Sequence, residues 1–229
     1  MIRLTKPRLI LAVLAVAFVG SCSGGLERPS VNLQIFDAMR QNLGTFATPR
    51  KDPAPVTRAD LDRADRAYLE VTMEARDIRS YLEISDRLND HRPGELVVWR
   101  NIDGSTMTMR EGVLIQTRGI GGDLYSNDVV VSARRPGPLR GGARTLRIRA
   151  LDNKVVPLLF DCELTDLGQE LLEVVELKYQ TRHLRESCVG EDGSFANDFW
   201  IDVGAGLVWQ SRQWAGPEIG YILTRRLTL

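Results

Sequence analysis

The chain has 229 residues, with 30 lysine and arginine side chains against 30 aspartate and glutamate side chains. This balance, with no concentrated basic stretch, excludes the charge pattern of a nucleic-acid-binding protein. The chain has only two histidines, His91 and His183, and neither stands at ligand spacing from a cysteine or from the other. We therefore predict no metal site and no cofactor.

The first 21 residues have the organisation of a signal peptide. Arg3, Lys6 and Arg8 form a basic start, and an uninterrupted apolar stretch of 11 residues follows at positions 9–19. That length is too short for a resident transmembrane helix and is typical of the apolar part of a signal sequence.

Two small residues, Gly20 and Ser21, separate this stretch from Cys22. The sequence Val19-Gly20-Ser21-Cys22 resembles the lipobox of bacterial lipoproteins, in which the thiol is diacylated and the peptide is cut before the cysteine. Two or three acyl chains on one residue make a stable membrane anchor. The alternative is an ordinary secretory signal cut near Ser21 or Ser23, which would leave a free cysteine in an oxidising compartment.

Ser23 indicates where such a lipoprotein would reside. In Gram-negative bacteria an aspartate after the lipidated cysteine tends to retain the protein in the inner membrane, whereas Ser23 favours the outer membrane. We therefore expect a protein anchored at the periplasmic face of the outer membrane. Residues 22–29 have the composition of a flexible tether, and residues 30–229 are long enough for a single β-rich periplasmic domain.

The mature chain keeps two further cysteines, Cys162 and Cys188. In an oxidising compartment a disulfide between them is the default expectation. It would stabilise the fold by roughly 3–4 kcal/mol in the chain-entropy model. The alternative is a pair of buried free thiols.

Two helical segments are predicted before the first strand. Ser30 can cap a helix with an apolar stripe over residues 31–43, which Gly44 can end. After a proline-rich connection, Thr57 and Asp60 have the spacing of a capping box for a short second helix.

From Tyr68 onward the hydrophobic period changes to two. In YLEVTMEA, apolar residues alternate with polar ones, so one strand face would be buried and the other solvated. Similar runs recur to the end of the chain, separated by turn pairs such as Asp103-Gly104 and Asp192-Gly193. Strands at such short spacing, without helical crossovers, must pair antiparallel. We predict a mainly β fold, an antiparallel sheet curled into a sandwich or open barrel behind a short helical N-terminal segment.

Three stretches are ambiguous. Residues 120–145 are rich in glycine and proline and are predicted to form long surface loops. Residues 171–178, LLEVVELK, fit a strand but also a helix. Residues 119–122, Gly-Ile-Gly-Gly, suggest a phosphate-binding loop, although neither a lysine nor a helix follows.

The sequence resembles the YjbF/GfcB family of group 4 capsule polysaccharide lipoproteins in VVWRNIDGSTMTMREGVLIQTRGIGGDLYSND, FDCELTD, RHLRESCVGEDGSFANDFWID and GLVWQSRQWAGPEIGYI. The resemblance extends from about Phe36 to the end of the chain. It implies an outer-membrane lipoprotein of exopolysaccharide or capsule export, which works beside a periplasmic partner and an outer-membrane β-barrel partner. It implies no enzymatic activity.

The residues give little support for catalysis. The chain has no G-x-S-x-G motif, and most carboxylates fall on the solvent face of alternating strands. Asp161 and Glu163 flank Cys162 at a spacing that a carboxylate pair could use, but a solvated strand face is the more ordinary interpretation. His183 is expected to be a structural histidine rather than a general base.

Trp209, Trp214, Arg212 and Arg118 are the candidate polysaccharide contacts. Tryptophan stacks on sugar rings, and arginine pairs with acidic groups. In a regular strand Trp209 and Trp214 point to opposite faces, so at most one would join a given platform. Core packing is the alternative for both.

Three functions follow from the sequence. The first is a non-catalytic, lipid-anchored export component that docks on partner proteins. The second is a carbohydrate-binding module that contacts the polymer. The third is a polysaccharide-modifying enzyme. An exposed apolar patch would favour the first, and a groove of aromatic and arginine side chains would favour the second. Two facing carboxylates, or a serine within reach of His183, would favour the third.

Overall fold

The structure is a computed structural model that describes residues 56–150 and 152–228. The signal peptide, Cys22, the tether and the helix predicted at residues 31–43 lie outside the described residues. Within the described ranges, no helix has the length and apolar character needed to cross a bilayer.

The described part of the chain is mainly β, which confirms the predicted fold class. A short 3-10 turn, Glu74–Arg76, connects the first two strands. The elements in chain order are α1 Arg58–Asp62, β1 Tyr68–Met73, β2 Ile78–Leu88, β3 Leu96–Arg100, β4 Thr106–Arg110, β5 Val113–Arg118, β6 Leu124–Asp128, β7 Val131–Ser132, β8 Arg135–Pro138, β9 Gly142–Arg149, β10 Val155–Val174, β11 Leu177–Gly190, β12 Gly193–Asp202, β13 Leu207–Trp214 and β14 Tyr221–Arg226.

The helix α1 begins at the predicted capping box. Asp60 N–H donates to Thr57 Oγ1 at 3.3 Å, and Thr57 N–H donates to the Asp60 carboxylate at 3.1 Å. Leu61 is the buried residue of this helix and joins a hydrophobic cluster with Trp209 and Leu227. The short helix therefore covers part of the outer surface of the sheet.

Twelve strands form one antiparallel sheet in the order β5-β4-β3-β2-β1-β14-β13-β12-β11-β10-β9-β6. A sheet of this many twisted strands cannot remain flat, and it curls until its edge strands β5 and β6 meet. The result is a nearly closed barrel. The strands β7 and β8 form a separate two-stranded hairpin.

Hydrogen bonds that involve side chains, rather than a backbone ladder, connect β5 to β6 at this closure. The Asn127 amide donates to the Leu114 carbonyl at 2.8 Å, and Leu124 N–H donates to Thr117 Oγ1 at 2.9 Å. Gln213 on β13 accepts a hydrogen bond from Leu114 N–H at 2.8 Å. All five residues are buried, so these edge groups are satisfied within the protein.

The main hydrophobic core fills the interior of the barrel. Nearly every strand of the large sheet contributes to it, with members that include Leu69, Val71, Leu82, Trp99, Met107, Leu114, Leu124, Leu146, Leu158, Phe160, Phe195 and Ile222. A second cluster joins α1, the far end of β10 and β13 through Leu61, Leu172, Val174, Trp209 and Leu227.

The prediction of long surface loops over residues 120–145 is wrong. The strands β6, β7, β8 and the start of β9 lie there, and residues 136–138 are buried. Gly137 N–H donates to the Glu111 carbonyl at 2.6 Å, and a Cβ at Gly137 would lie 2.6 Å from Ile201 Cδ1. Glycine is required here because the hairpin packs so closely on the sheet.

Residues 171–178 form neither a helix nor one continuous strand. β10 ends at Val174, and β11 begins at Leu177. Val175 and Glu176 both have positive φ, 43° and 69°, as in a two-residue type I′ turn. Such turns usually contain glycine or asparagine, and Val175-Glu176 contains neither, so this reversal could not be predicted from the residues.

Candidate functional site

The two candidate tryptophans lie in packed clusters. Trp209 is only 2% exposed and stacks on Tyr179, with ring centroids 3.7 Å apart. Trp214 packs against the main core and stacks on Phe195 at 4.7 Å. Trp209 therefore presents no open face for stacking on a sugar, and Phe195 covers one ring face of the half-buried Trp214.

The two candidate arginines lie on different strands. Arg212 on β13 binds the Glu74 carboxylate at 2.7 Å, and its guanidinium carbon lies 3.5 Å from the centroid of the Tyr221 ring. The hydrogen bonds that Arg212 donates to the Glu74 carboxylate hold the pKa of Arg212 above its ordinary value. Arg118 is exposed at the end of β5. The four predicted polysaccharide contacts thus do not form one platform.

Cys162 and Cys188 form the predicted disulfide, directly opposite each other on β10 and β11. Their sulfurs and the Glu186 carboxylate lie within 4.8 Å of one another, the one such group of metal-ligating residue types in the described ranges. Both sulfurs are used in the disulfide and Glu186 pairs with an arginine, so these atoms are already occupied. The flanking Asp161 and Glu163 are exposed.

A buried polar network crosses the barrel interior. Arg144 and Glu186 form an ion pair with side-chain exposures of 3% and 0%. Arg144 also donates to Asn127 Oδ1 at 3.3 Å, and Asn197 Nδ2 donates to Glu186 at 3.0 Å. The other end of the Asn197 amide accepts from Trp214 N–H at 2.8 Å. Each member has a partner within the protein, so the network is structural.

His183 is held between two carboxylates. Its Nε2 lies 2.8 Å from Asp198 Oδ1, and its Nδ1 lies 3.1 Å from Glu170 Oε2. The ring also stacks on Trp200, with centroids 4.4 Å apart. Among the described residues, no hydroxyl or thiol forms a hydrogen bond with His183. The arrangement therefore joins β10, β11 and β12 but lacks a nucleophile.

The glycine-rich loop at residues 119–122 already holds an anion from its own chain. The Asp123 carboxylate accepts hydrogen bonds from Gly119 N–H at 3.0 Å and from Ile120 N–H at 3.2 Å. Because these amides bind Asp123, the loop is not a phosphate site.

The strongest surface feature is an unpaired strand edge on β10. β9 pairs with β10 only from Val155 to Cys162, whereas β11 accompanies it to Val174. No other described strand pairs with residues 163–174, which we call the ribbon edge. At about 3.3 Å per residue it is roughly 40 Å long. Its outward N–H and C=O groups can accept an added strand.

The ribbon edge is anchored by two buried residues and also carries two exposed leucines. Leu172 and Val174 are buried with Trp209 in the second hydrophobic cluster. Leu167 and Leu171 are instead 49% and 54% exposed. The packing of its far end keeps the long hairpin against the barrel, so the exposed leucines have a defined position.

The ribbon edge is also acidic. Asp166 pairs with Arg182, and Glu170 pairs with His183. The acidic residues of this stretch are Glu163, Asp166, Glu170 and Glu173. A β-bulge interrupts the register between Asp166 and Gly168. Sequence reasoning missed this site because the length of pairing on each side of a strand depends on the neighbouring strands.

Comparison with known proteins identifies the family. The chain matches the family described as group 4 capsule polysaccharide lipoprotein GfcB, YjbF over residues 30–227. The chain belongs to the YjbF/GfcB family. This confirms the resemblance seen in the sequence and gives the protein a role related to capsule polysaccharide.

Two solved structures are similar to this member of the YjbF/GfcB family. The fold is similar to that of the hypothetical lipoprotein YmcC from Escherichia coli K12, with a TM-score of 0.58 and 16% sequence identity over 77% of this chain and 98% of that one. A protein from Bacteroides fragilis NCTC 9343, described as exported and as having a YmcC-like fold, gives a TM-score of 0.36 and 10% identity over 71% of this chain and 93% of that one. None of the curated protein sequences matches the chain.

The YjbF/GfcB family is not a known enzyme family. As a lipoprotein family, it indicates an exported, membrane-associated protein.

Proposed function

We propose that this protein is a non-catalytic, lipid-anchored component of capsule or exopolysaccharide export that docks on a partner protein at the periplasmic face of the outer membrane. Membership of a capsule polysaccharide lipoprotein family supports the export role. The docking role rests on one observation, the unpaired ribbon edge at residues 163–174 of β10.

An unpaired strand edge is complementary to another polypeptide in extended conformation. Its amide and carbonyl groups repeat at the spacing of a β-strand, which a polysaccharide does not share. Leu167 and Leu171 add exposed apolar side chains for specific contacts. Glu163 and Glu173 favour a partner strand that carries lysine or arginine. The same charges, together with the bulge, oppose pairing between two copies of this chain.

The lipid anchor is proposed at Cys22, and Ser23 favours sorting to the outer membrane. Mass spectrometry of the protein from its native host tests this step. We expect an N-terminal cysteine that carries two or three acyl chains. A retained leader, or an unmodified sulfur at Cys22, would contradict the proposal.

The proposal of a non-catalytic role is supported by the residues that an enzyme would use. Both ring nitrogens of His183 face carboxylates, and the pair Asp161 and Glu163 lies on an exposed strand face. The most deeply buried carboxylate, Glu186, is neutralised by Arg144. None of these groups is arranged for nucleophilic attack or for acid–base work on a bound sugar.

Site-specific photo-crosslinking in the native host tests the docking surface. A photoreactive amino acid at Gln169, on the ribbon edge, is expected to capture an export protein of the periplasm or outer membrane. The same group at Ile102, which is fully exposed in the turn between β3 and β4, is the matched control. Adding Leu171→Lys should abolish the Gln169 adduct and leave the expression level of the protein unchanged.

Two results would count against docking through the ribbon edge. One is an equal adduct from positions 169 and 102, because that would indicate proximity without a specific interface. The other is an adduct at position 169 that survives Leu171→Lys. Recovery of the same partner with a Cys22→Ser chain would show that the interface works without the lipid.

Direct contact with the exported polysaccharide is the second candidate function. The predicted platform of tryptophan and arginine gives it no support, because Trp209 and Trp214 are packed within the fold. The observation that favours it is a cavity beside Arg226, in another part of the barrel.

A further inference from the structure

A cavity of about 170 Å³ is lined by residues from β1 to β4, from the β7–β8 hairpin and from β13 and β14. We call it the Arg226 pocket. Much of its wall is apolar, formed by side chains that include Leu69, Val97, Trp99, Met109 and Leu207. Its charged lining residues are Arg87, Glu95, Glu111 and Arg226.

Arg226 enters this pocket without a carboxylate partner among the described residues. Its Nε donates to the Thr228 carbonyl at 2.9 Å, and its guanidinium carbon lies 5.8 Å from the centroid of the Trp99 ring. The neighbouring Arg87 is already bound to Glu95 at 2.5 Å. Burial lowers the pKa of Arg226, and the nearby charge of Arg87 lowers it further.

The two arginines that are most deeply buried in the described part of the chain are neutralised, whereas Arg226 is half-buried. Arg144 pairs with Glu186, and Arg110 pairs with Asp90 at 2.5 Å, with arginine side-chain exposures of 3% and 5%. A cation that is partly withdrawn from water and has no anion beside it gains from binding one. Since no carboxylate of the described residues pairs with it, Arg226 is placed where a bound anion would compensate its charge.

The pocket restricts the chemistry of that anion. The terminal nitrogens of Arg226 present the planar fork that matches a carboxylate. The cavity has the volume of about five or six waters at ~30 Å³ each, which admits one sugar ring but not an oligosaccharide. Trp99 and the aliphatic wall suit the C–H face of such a ring. Glu95 and Glu111 can accept hydrogen bonds from hydroxyl groups, and they would repel a dianionic phosphate more strongly than a monoanionic carboxylate.

We propose that the Arg226 pocket binds a single carboxylate-bearing sugar unit, a uronic acid, such as the end of an acidic polysaccharide chain. The Arg226 guanidinium holds the carboxylate, and the apolar wall holds the ring. This site goes beyond docking on a partner protein, because it lies away from the ribbon edge and binds a different class of molecule.

Calorimetric titration of the detergent-solubilised full chain tests the pocket. Sodium D-glucuronate is expected to bind with a dissociation constant in the millimolar range, and D-glucose at least tenfold more weakly. Arg226→Gln should weaken glucuronate binding tenfold or more, because the charge-assisted hydrogen bonds are lost. Arg140→Gln, at an exposed arginine, is the matched control and should bind like the wild type.

Thermal unfolding of the same variants separates binding from folding. Because Arg226 pairs with no carboxylate in the described ranges, Arg226→Gln should keep or raise the Tm while it removes binding. Arg226→Lys keeps the charge but not the fork, and it should also bind glucuronate at least several-fold more weakly. If Arg226→Gln fails to fold, the glucuronate affinity of Arg226→Lys is compared with that of the wild type instead.

Three results would overturn the proposal. The first is equal affinity for glucose and glucuronate, and the second is unchanged glucuronate affinity in both Arg226 variants. The third is inorganic phosphate binding as tightly as glucuronate, which would indicate an unselective anion site. Loss of the crosslink at Gln169 would leave these measurements unaffected, so the pocket and the docking surface fail independently.

Discussion

Glu186 on β11 and Arg144 on β9 form an ion pair inside the barrel, across the strand β10 that separates them. Burial lowers the pKa of Arg144, and the Glu186 carboxylate opposes that shift. Such a pair is costly to desolvate but much more costly to break, because the remaining charge is left alone in the core.

Glu186→Gln should therefore lower the free energy of unfolding by about 3–5 kcal/mol, measured by urea denaturation. The double replacement Arg144→Met, Glu186→Leu should recover much of that loss, because it leaves no buried charge. Asp152→Asn, which removes an exposed pair with Lys154, is the control and should change stability by less than about 1 kcal/mol. A mild Glu186→Gln effect would mean that water reaches this part of the interior.

Gln213 offers a second test of the polar interior. Its side chain accepts from Leu114 N–H at 2.8 Å and donates to the Gly112 carbonyl at 3.0 Å. Gln213→Leu leaves both backbone groups without a partner. Each unsatisfied group should lower the free energy of unfolding by about 1–3 kcal/mol. Hydrogen exchange at the Leu114 amide should accelerate in the same variant. Gln210→Leu, on the same strand without such bonds, should leave that amide protected.

A substitution in the turn between β10 and β11 should increase the stability of the fold. Glu176 adopts φ = 69°, a conformation that glycine reaches without steric strain. Glu176→Gly should raise the free energy of unfolding by about 0.5–1 kcal/mol, measured by chemical denaturation. Glu173 lies within β10, so Glu173→Gly should instead lower the free energy of unfolding by about 0.5–1 kcal/mol. If both substitutions destabilise equally, the turn geometry is not the controlling factor.

The sequence predicts those features that depend on local pattern. Alternation of apolar and polar residues identified the β-rich fold, and the spacing of Thr57 and Asp60 identified α1. The disulfide followed from compartment chemistry and from there being only two cysteines after Cys22. Each of these requires only residues that are near in sequence, or a property of the whole chain.

The features missed by sequence reasoning depend on distant strands. The ribbon edge exists because β10 extends well beyond β9, and alternation within β10 cannot report the length of its neighbour. Glu186 and Asp198 follow a strand pattern like that of exposed carboxylates, yet both are buried against arginine. The isolation of Arg226 likewise appears only when the surroundings of every nearby carboxylate are known.

Glu218 predicts a measurable pH dependence of stability. Burial raises the pKa of its carboxyl group, partly opposed by the charge of Arg76. Since the folded pKa lies above the unfolded one, folding favours the protonated form, and this contribution is complete at acid pH and lost as pH rises through the folded pKa. Glu218→Gln removes the ionisation and should raise the Tm at pH 7, while at pH below about 4 it should match the wild type. Glu163→Gln, at an exposed strand position, is the control and should give the same Tm as the wild type at both pH values. A lower Tm for Glu218→Gln at pH 7 would mean that the ionised carboxylate stabilises the fold, through Arg76, more than burial disfavours it.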